Sequence, residues 1–165
     1  MNSYEDIIKN YISTAQTTDN VLTGDKITPD ILKKHNYFIP KDDEKPLIVI
    51  NKGAMIGVPF TGLVITDKSI SYKLMKNSFW TGMFAIFMKP IISRVEWKGI
   101  EHFQIGSLSG TIGSAYTGHD FMINNEVYGI LRLGDGLLYD DKMLTFINGL
   151  SEALFKQGLL QKAPK

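Results

Sequence analysis

The 165-residue chain contains no cysteine. Disulfide bonds, thiol nucleophiles and thiolate metal sites are therefore excluded. It also lacks an apolar run of about 18 residues, the length that a membrane-spanning helix needs. The first residues, MNSYEDIIKNYIST, carry acids where a secretory signal would be basic, and no apolar stretch follows them. From these absences we expect a cytoplasmic protein, with a peripheral position at the membrane as the alternative.

An excess of charge of one sign is missing as well. The net charge is +1, so we expect no nucleic-acid partner. With 44% hydrophobic residues, the chain can bury the core of about one domain. The charge is unevenly distributed, because residues 46–100 contain seven basic and two acidic side chains. The middle third is therefore the cationic part of the sequence.

Two short helices are predicted in residues 1–40, separated by the polar and turn-rich stretch TTDNVLTGDK (17–26). Ser3 followed by Asp6 is typical of a helix start, and apolar residues recur at helical spacing over residues 4–16. Thr28 and Pro29 have the types favoured at the cap and at the first position of a second helix. We interpret residues 1–40 as an N-terminal helical extension that packs on the remainder of the chain.

Strand patterns begin at Pro46. The segment PLIVIN is β-branched, and TGLVITDKSISYKL (61–74) alternates in two halves around Asp67-Lys68. We predict a one-sided hairpin there, with Ser69, Ser71 and Lys73 facing water.

Further along, RVEWKGIEHFQI (94–105) indicates a bent strand or a strand pair, with a bulge at Lys98-Gly99. Residues 106–118 are rich in glycine and serine and are predicted to form a connection. HDFMINNEVYGIL (119–131) favours a hairpin on Asn124-Asn125, with Val127 among its apolar members. The last pattern is an amphipathic helix that starts at Asp140 or Asp141 and ends at Gly158.

The order of these elements predicts an α+β fold, and three motifs resemble bacterial pleckstrin-homology-like (PH-like) domains. The motifs are DEKPLI (43–48), TGLVITDK (61–68) and VEWKGI (95–100). The resemblance implies a partly open antiparallel β-barrel of six to seven strands, capped by the C-terminal helix, over residues 41–160. It also implies binding of a ligand, lipid headgroup or protein, without shared catalytic residues. Residues 77–93 and the N-terminal helices depart from the minimal pattern.

The segment NSFWTGMFAIFMKPIIS (77–93) is the most unusual in the sequence, because it is strongly apolar with basic residues on both sides. Three explanations remain open: a buried barrel segment, a contact with a second copy or a protein partner, and an anionic membrane surface. Separately, Lys52 and Lys73 could meet a phosphate ligand, or they could belong to a solvated lysine face. The hypothetical binding residues are Lys52, Lys73, Lys76, Phe79, Trp80, Phe84, Phe87, Lys89 and Arg94.

No catalytic, cofactor or metal motif emerges. The 106–118 segment lacks the lysine of a phosphate-binding loop, and GSLSG places Leu108 where a nucleophile elbow needs serine. His119 and Asp120 are adjacent, so on a strand they would face opposite sides. His35, His102 and His119 are widely separated, without a metal-ligand spacing. We therefore expect a non-catalytic binding module; the alternatives are a homo-oligomeric structural subunit and an enzyme with a small-molecule pocket.

Overall fold

The described part of the chain forms a five-stranded and a three-stranded antiparallel sheet, a two-stranded pair and three α-helices. The computed structural model describes residues 3–52, 61–76, 89–109, 118–131, 134–135, 138–139 and 141–164. The helices are α1 (Tyr4–Thr14), α2 (Pro29–Lys34) and α3 (Asp141–Lys156). The strands are β1 (Val21–Thr23), β2 (Pro46–Lys52), β3 (Thr61–Thr66), β4 (Ser69–Leu74), β5 (Ile91–Glu96), β6 (Phe103–Ser109), β7 (Gly118–Ile123), β8 (Glu126–Leu131), β9 (Gly134–Asp135) and β10 (Leu138–Tyr139). The α+β class is therefore confirmed.

Local capping chemistry starts the first two helices as predicted. The Asp6 amide donates to the Ser3 hydroxyl over 3.1 Å, and the Asp6 carboxylate accepts from the Ser3 amide, which completes a capping box. Thr28 accepts from the Ile31 amide at the start of α2, with Pro29 at its first position. These bonds satisfy amides that have no partner within the helix.

The strands pair in the order β1-β2-β3-β4-β5 in one sheet and β6-β7-β8 in the other, while β9 and β10 pair with each other. The predicted hairpin on Asp67-Lys68 joins β3 to β4, with Ile65 opposite Ile70. Asn124 and Asn125 join β7 to β8 with φ angles of 53° and 68°, as a two-residue hairpin turn requires. Both predicted hairpins are confirmed.

The two sheets meet where β4 ends. Met75 and Ile130 exchange backbone hydrogen bonds of 2.9 and 3.0 Å, which link the end of β4 to β8. Gly129 permits this approach, because a Cβ atom there would lie 2.8 Å from both the Leu74 Cβ and the Met75 carbonyl oxygen. In the ranges given above, the strands therefore form two joined sheets and no single closed barrel.

One apolar core fills the space between the sheets and the helices. The stripe predicted on the C-terminal helix is confirmed, since Met143, Ile147, Leu150 and Leu154 are fully buried. The N-terminal region also contributes, because Ile7 and Ile8 belong to this core and α1 packs along α3. The boundary near residue 40 between an extension and a barrel domain stays a prediction.

The prediction that one face of the β3–β4 hairpin meets water is wrong. Ser69 and Ser71 are buried, and Val64 on the same outer face is fully buried too. The outer face is covered by a second apolar cluster, in which Tyr37 and Phe38 pack on the strands, with partly buried side chains of α2 beside them. The residues before β2 therefore act as a lid on the five-stranded sheet, which an alternation pattern cannot show.

Four smaller expectations are corrected. Lys98 and Gly99 belong to a 3₁₀ turn (Trp97–Gly99), where the chain passes from one sheet to the other, and not to a bulge. Val21–Thr23, within a polar and turn-rich stretch, forms an edge strand because it pairs with β2. Residues 106–109 continue β6 and do not belong to the connection. Val127 is 46% exposed, since it lies on the outer face of an edge strand.

Candidate functional site

Four of the predicted binding residues lie at one end of the five-stranded sheet. Lys52 is opposite Thr61 at the end of β2, and Lys73 is opposite Gly62 near the end of β4. Lys76 follows β4 directly, and Lys89 lies two residues before β5, whose first residue pairs with the last residue of β4. We call this part of the molecule, defined by Lys52, Lys73, Lys76 and Lys89, the lysine end.

The lysine end carries one sign of charge within its own sheet. Lys76 and Lys89 are exposed and Lys73 is half-buried. The strand ends that meet there contain four lysines and no acidic residue. They comprise residues 50–52, 61–63, 72–76 and 89–92. An anionic ligand or surface would therefore meet little repulsion at this end of the sheet.

Three connections leave the two sheets on the same side as the lysines. Residues 53–60 join β2 to β3 and residues 77–88 join β4 to β5, both from the lysine end. Residues 110–117 join β6 to β7, whose paired ends lie with Leu131 beside the Met75–Ile130 bridge. None of these three segments contains a charged residue, whereas residues 132–140, which follow Leu131 at the same end, include Arg132, Asp135 and Asp140. The predicted binding residues Phe79, Trp80, Phe84 and Phe87 fall in the second segment and lie outside the described residues.

Arg94 is not brought together with the four lysines. It lies in the other half of β5, opposite Ser71, and its Nη1 donates to the Glu44 carboxylate over 2.5 Å. The Glu44 side chain has no exposed surface, whereas Arg94 retains 18%. The arginine is therefore engaged by a buried ion pair on the outer side of the sheet.

Two hydroxyls complete the surroundings of Glu44. Thr66 donates to the carboxylate over 2.6 Å and Ser69 over 2.5 Å, and the Lys41 amide donates over 3.0 Å. Burial alone would raise the pKa of Glu44, but the hydrogen bonds from Arg94, Ser69 and Thr66 outweigh it and lower the pKa to about 2. The carboxylate thus stays ionised inside the protein and ties residues 41–45 to the hairpin.

Sequence reasoning missed the role of Glu44. The stretch Asp42-Asp43-Glu44-Lys45 is indistinguishable from a solvated charged turn, and nothing in its composition marks the third residue as buried. The available signal was a weak one: Thr66 and Ser69 flank the hairpin turn and can both donate to an acid placed beside them.

The opposite end of the molecule contains the tight turns. The Tyr4 ring stacks on Trp97 with centroids 4.9 Å apart, and the Trp97 indole donates to the Thr66 carbonyl over 3.0 Å. The Asn124 carboxamide bonds to the backbone of Gly99 and Glu101. Helix α1, the turns and the C-terminal residues therefore contact one another at this end, opposite the strand ends that form the lysine end.

Of the residues considered for catalysis, His119 contacts the backbone of the neighbouring strand. The His119 Nδ1 lies 2.9 Å from the Gly106 carbonyl oxygen, and the half-buried Asp120 follows it on the same strand. Within the described ranges, no group of three or more histidine, aspartate or glutamate residues could hold a metal ion. None of the described helices is both long and apolar enough to cross a membrane.

Two open clefts follow the contact between α1 and α3. One measures about 450 Å³ and the other about 460 Å³, and Tyr11 and Thr14 border both. Burial raises the pKa of Tyr11, whose hydroxyl donates to the Phe146 carbonyl over 2.8 Å. The Tyr11 side chain therefore stabilises the contact between α1 and α3 by its hydrogen bond to a backbone oxygen.

Comparisons with known proteins add nothing to the geometry described above. No family model matches the chain, and searches of curated proteins and of solved structures found no match.

Proposed function

We propose that this chain is a PH-like, non-catalytic binding module whose lysine end contacts an anionic membrane surface. The observation that carries the proposal is the convergence of Lys52, Lys73, Lys76 and Lys89 at the end of the sheet from which uncharged, apolar connections leave. Lysines on both sides of an apolar segment are typical of surfaces that meet anionic headgroups.

The arrangement of the elements supports the PH-like relationship. Strands β2 to β5 follow one another in one sheet and β6 to β8 in a second sheet, in chain order. The helix after the strands, α3, packs on β6 and buries its apolar stripe in the shared core. The same order of parts underlies the resemblance of the motifs at residues 43–48, 61–68 and 95–100.

The charge of the lysine end favours a lipid surface over an apolar protein contact. Each basic residue near an anionic membrane contributes about 1 kcal/mol of binding free energy. The aromatic and methionine-rich segment 77–88 has the composition of an interfacial anchor, with Lys76 before it and Lys89 after it. A protein partner and a second copy of the chain are the competing occupants.

Vesicle co-sedimentation tests the proposal. We expect the wild-type protein to bind vesicles with 30% phosphatidylserine and to ignore neutral phosphatidylcholine vesicles. The variant Lys73→Gln/Lys76→Gln/Lys89→Gln should bind the anionic vesicles roughly a hundredfold more weakly, from about 1 kcal/mol per lysine. Lys26→Gln/Lys34→Gln/Lys142→Gln is the matched control, because these lysines are exposed on other elements.

Two results would contradict the proposal. One is equal loss of binding in the triple variant and its control, because charge position would then be irrelevant. The other is the combination of a wild type that does not bind vesicles with a stable dimer by size-exclusion chromatography and light scattering. Phe84→Ser/Phe87→Ser would convert that dimer to a monomer.

A further inference from the structure

The outer edge of β5 offers a second interaction surface, and its second half lies away from the lysine end. β5 is the last strand of the five-stranded sheet, and among the residues placed in the structure it pairs with β4 alone. Its outer edge therefore presents backbone amides and carbonyls that can accept another strand.

The edge of β6 in the other sheet shows how this fold satisfies such groups. The Asn148 carboxamide accepts from the Ile105 amide over 2.7 Å and donates to the Ile105 carbonyl over 3.2 Å. The Ser151 hydroxyl accepts from the Phe103 amide over 3.4 Å. Helix α3 thus supplies side chains that occupy the β6 edge, whereas the main contacts of β5 within the described residues are with β4.

β5 has few of the residues that usually protect an edge strand, namely Pro90 directly before it and Glu96 at its end. The strand Ile91–Glu96 contains neither proline nor lysine and is regular over six residues. Ile92 is 53% exposed on the outer face and Ser93 is exposed. The one cation within the strand, Arg94, is bound to Glu44 and does not stand out into solvent as a barrier.

A groove of about 320 Å³ runs beside the second half of this edge. It is lined by Lys41, Arg94, Val95, Glu96, Lys98 and Gly99. The Lys41 and Lys98 side chains are 63% and 85% exposed, and both contact Glu96, at 3.6 and 2.9 Å. Arg94 is neutralised by Glu44, so two exposed lysines share the groove with the single carboxylate of Glu96. The remaining positive charge favours an acidic occupant.

We propose that the free edge of β5 binds an extended, acidic segment of a partner protein as an added strand. Backbone hydrogen bonds supply the affinity, and the basic groove beside β5 selects acidic side chains. A second copy of β5 fits less well. A two-fold axis at the centre of the strand passes through residue 93 or 94. The exposed Ile92 then lies opposite Arg94 of the second copy in the first case and opposite Glu96 in the second.

Hydrogen exchange with a synthetic peptide tests this inference. The probe is an acetylated, amidated octapeptide that alternates glutamate with threonine and valine; its control replaces every glutamate by lysine. We expect the acidic peptide to slow amide exchange in residues 91–96 and the basic peptide to leave it unchanged. Lys41→Glu/Lys98→Glu should weaken binding about tenfold, whereas the matched reversal Lys33→Glu/Lys34→Glu on α2 should not.

Ile92→Lys serves as a second variant, because lysine on an edge strand opposes strand addition without altering the core. It should abolish the protection by the acidic peptide. The inference is overturned if both peptides bind equally, if protection appears outside β5, or if residues 91–96 become protected on concentrating the protein alone. Lys41 and Lys98 lie outside the lysine end, whereas Ile91 and Ile92 border it. The Lys41→Glu/Lys98→Glu variant, which should keep its vesicle binding, therefore lets this result and the vesicle result fail separately.

Discussion

A single buried carboxylate determines what Arg94 does. The positive residues of the middle third look equivalent in the sequence. Arg94 differs from the lysines because its Nη1 lies 2.5 Å from the carboxylate of Glu44, a side chain without exposed surface. A buried charge is tolerated only when it is paired and hydrogen-bonded, so the pair, Thr66 and Ser69 form one unit.

Replacement of Arg94 should show how far the stability of the fold depends on its ion pair with Glu44. Arg94→Gln leaves the Glu44 carboxylate buried without its cation, and we expect the free energy of unfolding to fall by about 3 kcal/mol. Lys98→Gln is the control, because Lys98 forms an exposed pair with Glu96 and should cost less than about 1 kcal/mol. Urea denaturation at pH 7 measures both; similar small losses would show that the ion pair does not support the fold.

The pH dependence of stability should report the same carboxylate. The pKa of Glu44 is lowered from 4.5 to about 2 in the folded protein, so its contribution is present above pH 4.5. It is lost as the pH falls from about 4.5 towards 2, because the unfolded chain takes up the proton first. Unfolding free energies of the wild type and Glu44→Gln should therefore converge over this range. Parallel curves would contradict the assignment.

Among the elements, those whose signals are local could be predicted from the sequence. The capping residues Ser3 and Thr28 and the turn pair Asn124-Asn125 act on backbone groups within a few positions, so composition and spacing suffice. The stripe on α3 is likewise visible because one helix presents one face to the core.

Elements whose structure depends on distant partners could not be predicted. β1 is a strand only because residues 21–23 pair with residues 48–50 of β2. The outer side of the hairpin is buried only because Tyr37 and Phe38 cover it. Tertiary packing overrides local pattern at both places, so alternation assigned the wrong environment to Ser69 and Ser71.

The junction of the two sheets makes a prediction at the level of elements. Gly129 has a φ of +153°, and a Cβ there would lie 2.8 Å from the Leu74 Cβ and from the Met75 carbonyl oxygen. We expect Gly129→Ala to lower the unfolding free energy by about 3 kcal/mol, through strain and overpacking.

Gly99→Ala is the matched control, because the nearest atom to its Cβ position lies at an ordinary 3.7 Å. Thermal unfolding should show a small change for this variant. Equal melting temperatures for Gly129→Ala and the wild type would mean that the sheets do not depend on this close approach.

The whole molecule has two unlike ends. One is closed by tight turns, the Tyr4–Trp97 stack and the C-terminal residues bound to Glu101. The other has the four lysines and the strand ends to which three uncharged segments of the sequence are joined. The cationic character of residues 46–100 could be predicted from the sequence. The convergence of Lys52, Lys73, Lys76 and Lys89 could not, because it depends on the register of four strands.

Paramagnetic relaxation from vesicles tests this polarity most directly. Anionic vesicles that contain a gadolinium-chelating lipid broaden the amide signals of residues held near the surface. The account predicts strong broadening at residues 73–76 and 89–92 and little at residues 67–68, 97–99 and 124–125, with no effect from neutral vesicles. Uniform broadening, or broadening concentrated at the tight turns, would contradict a membrane contact through the lysine end.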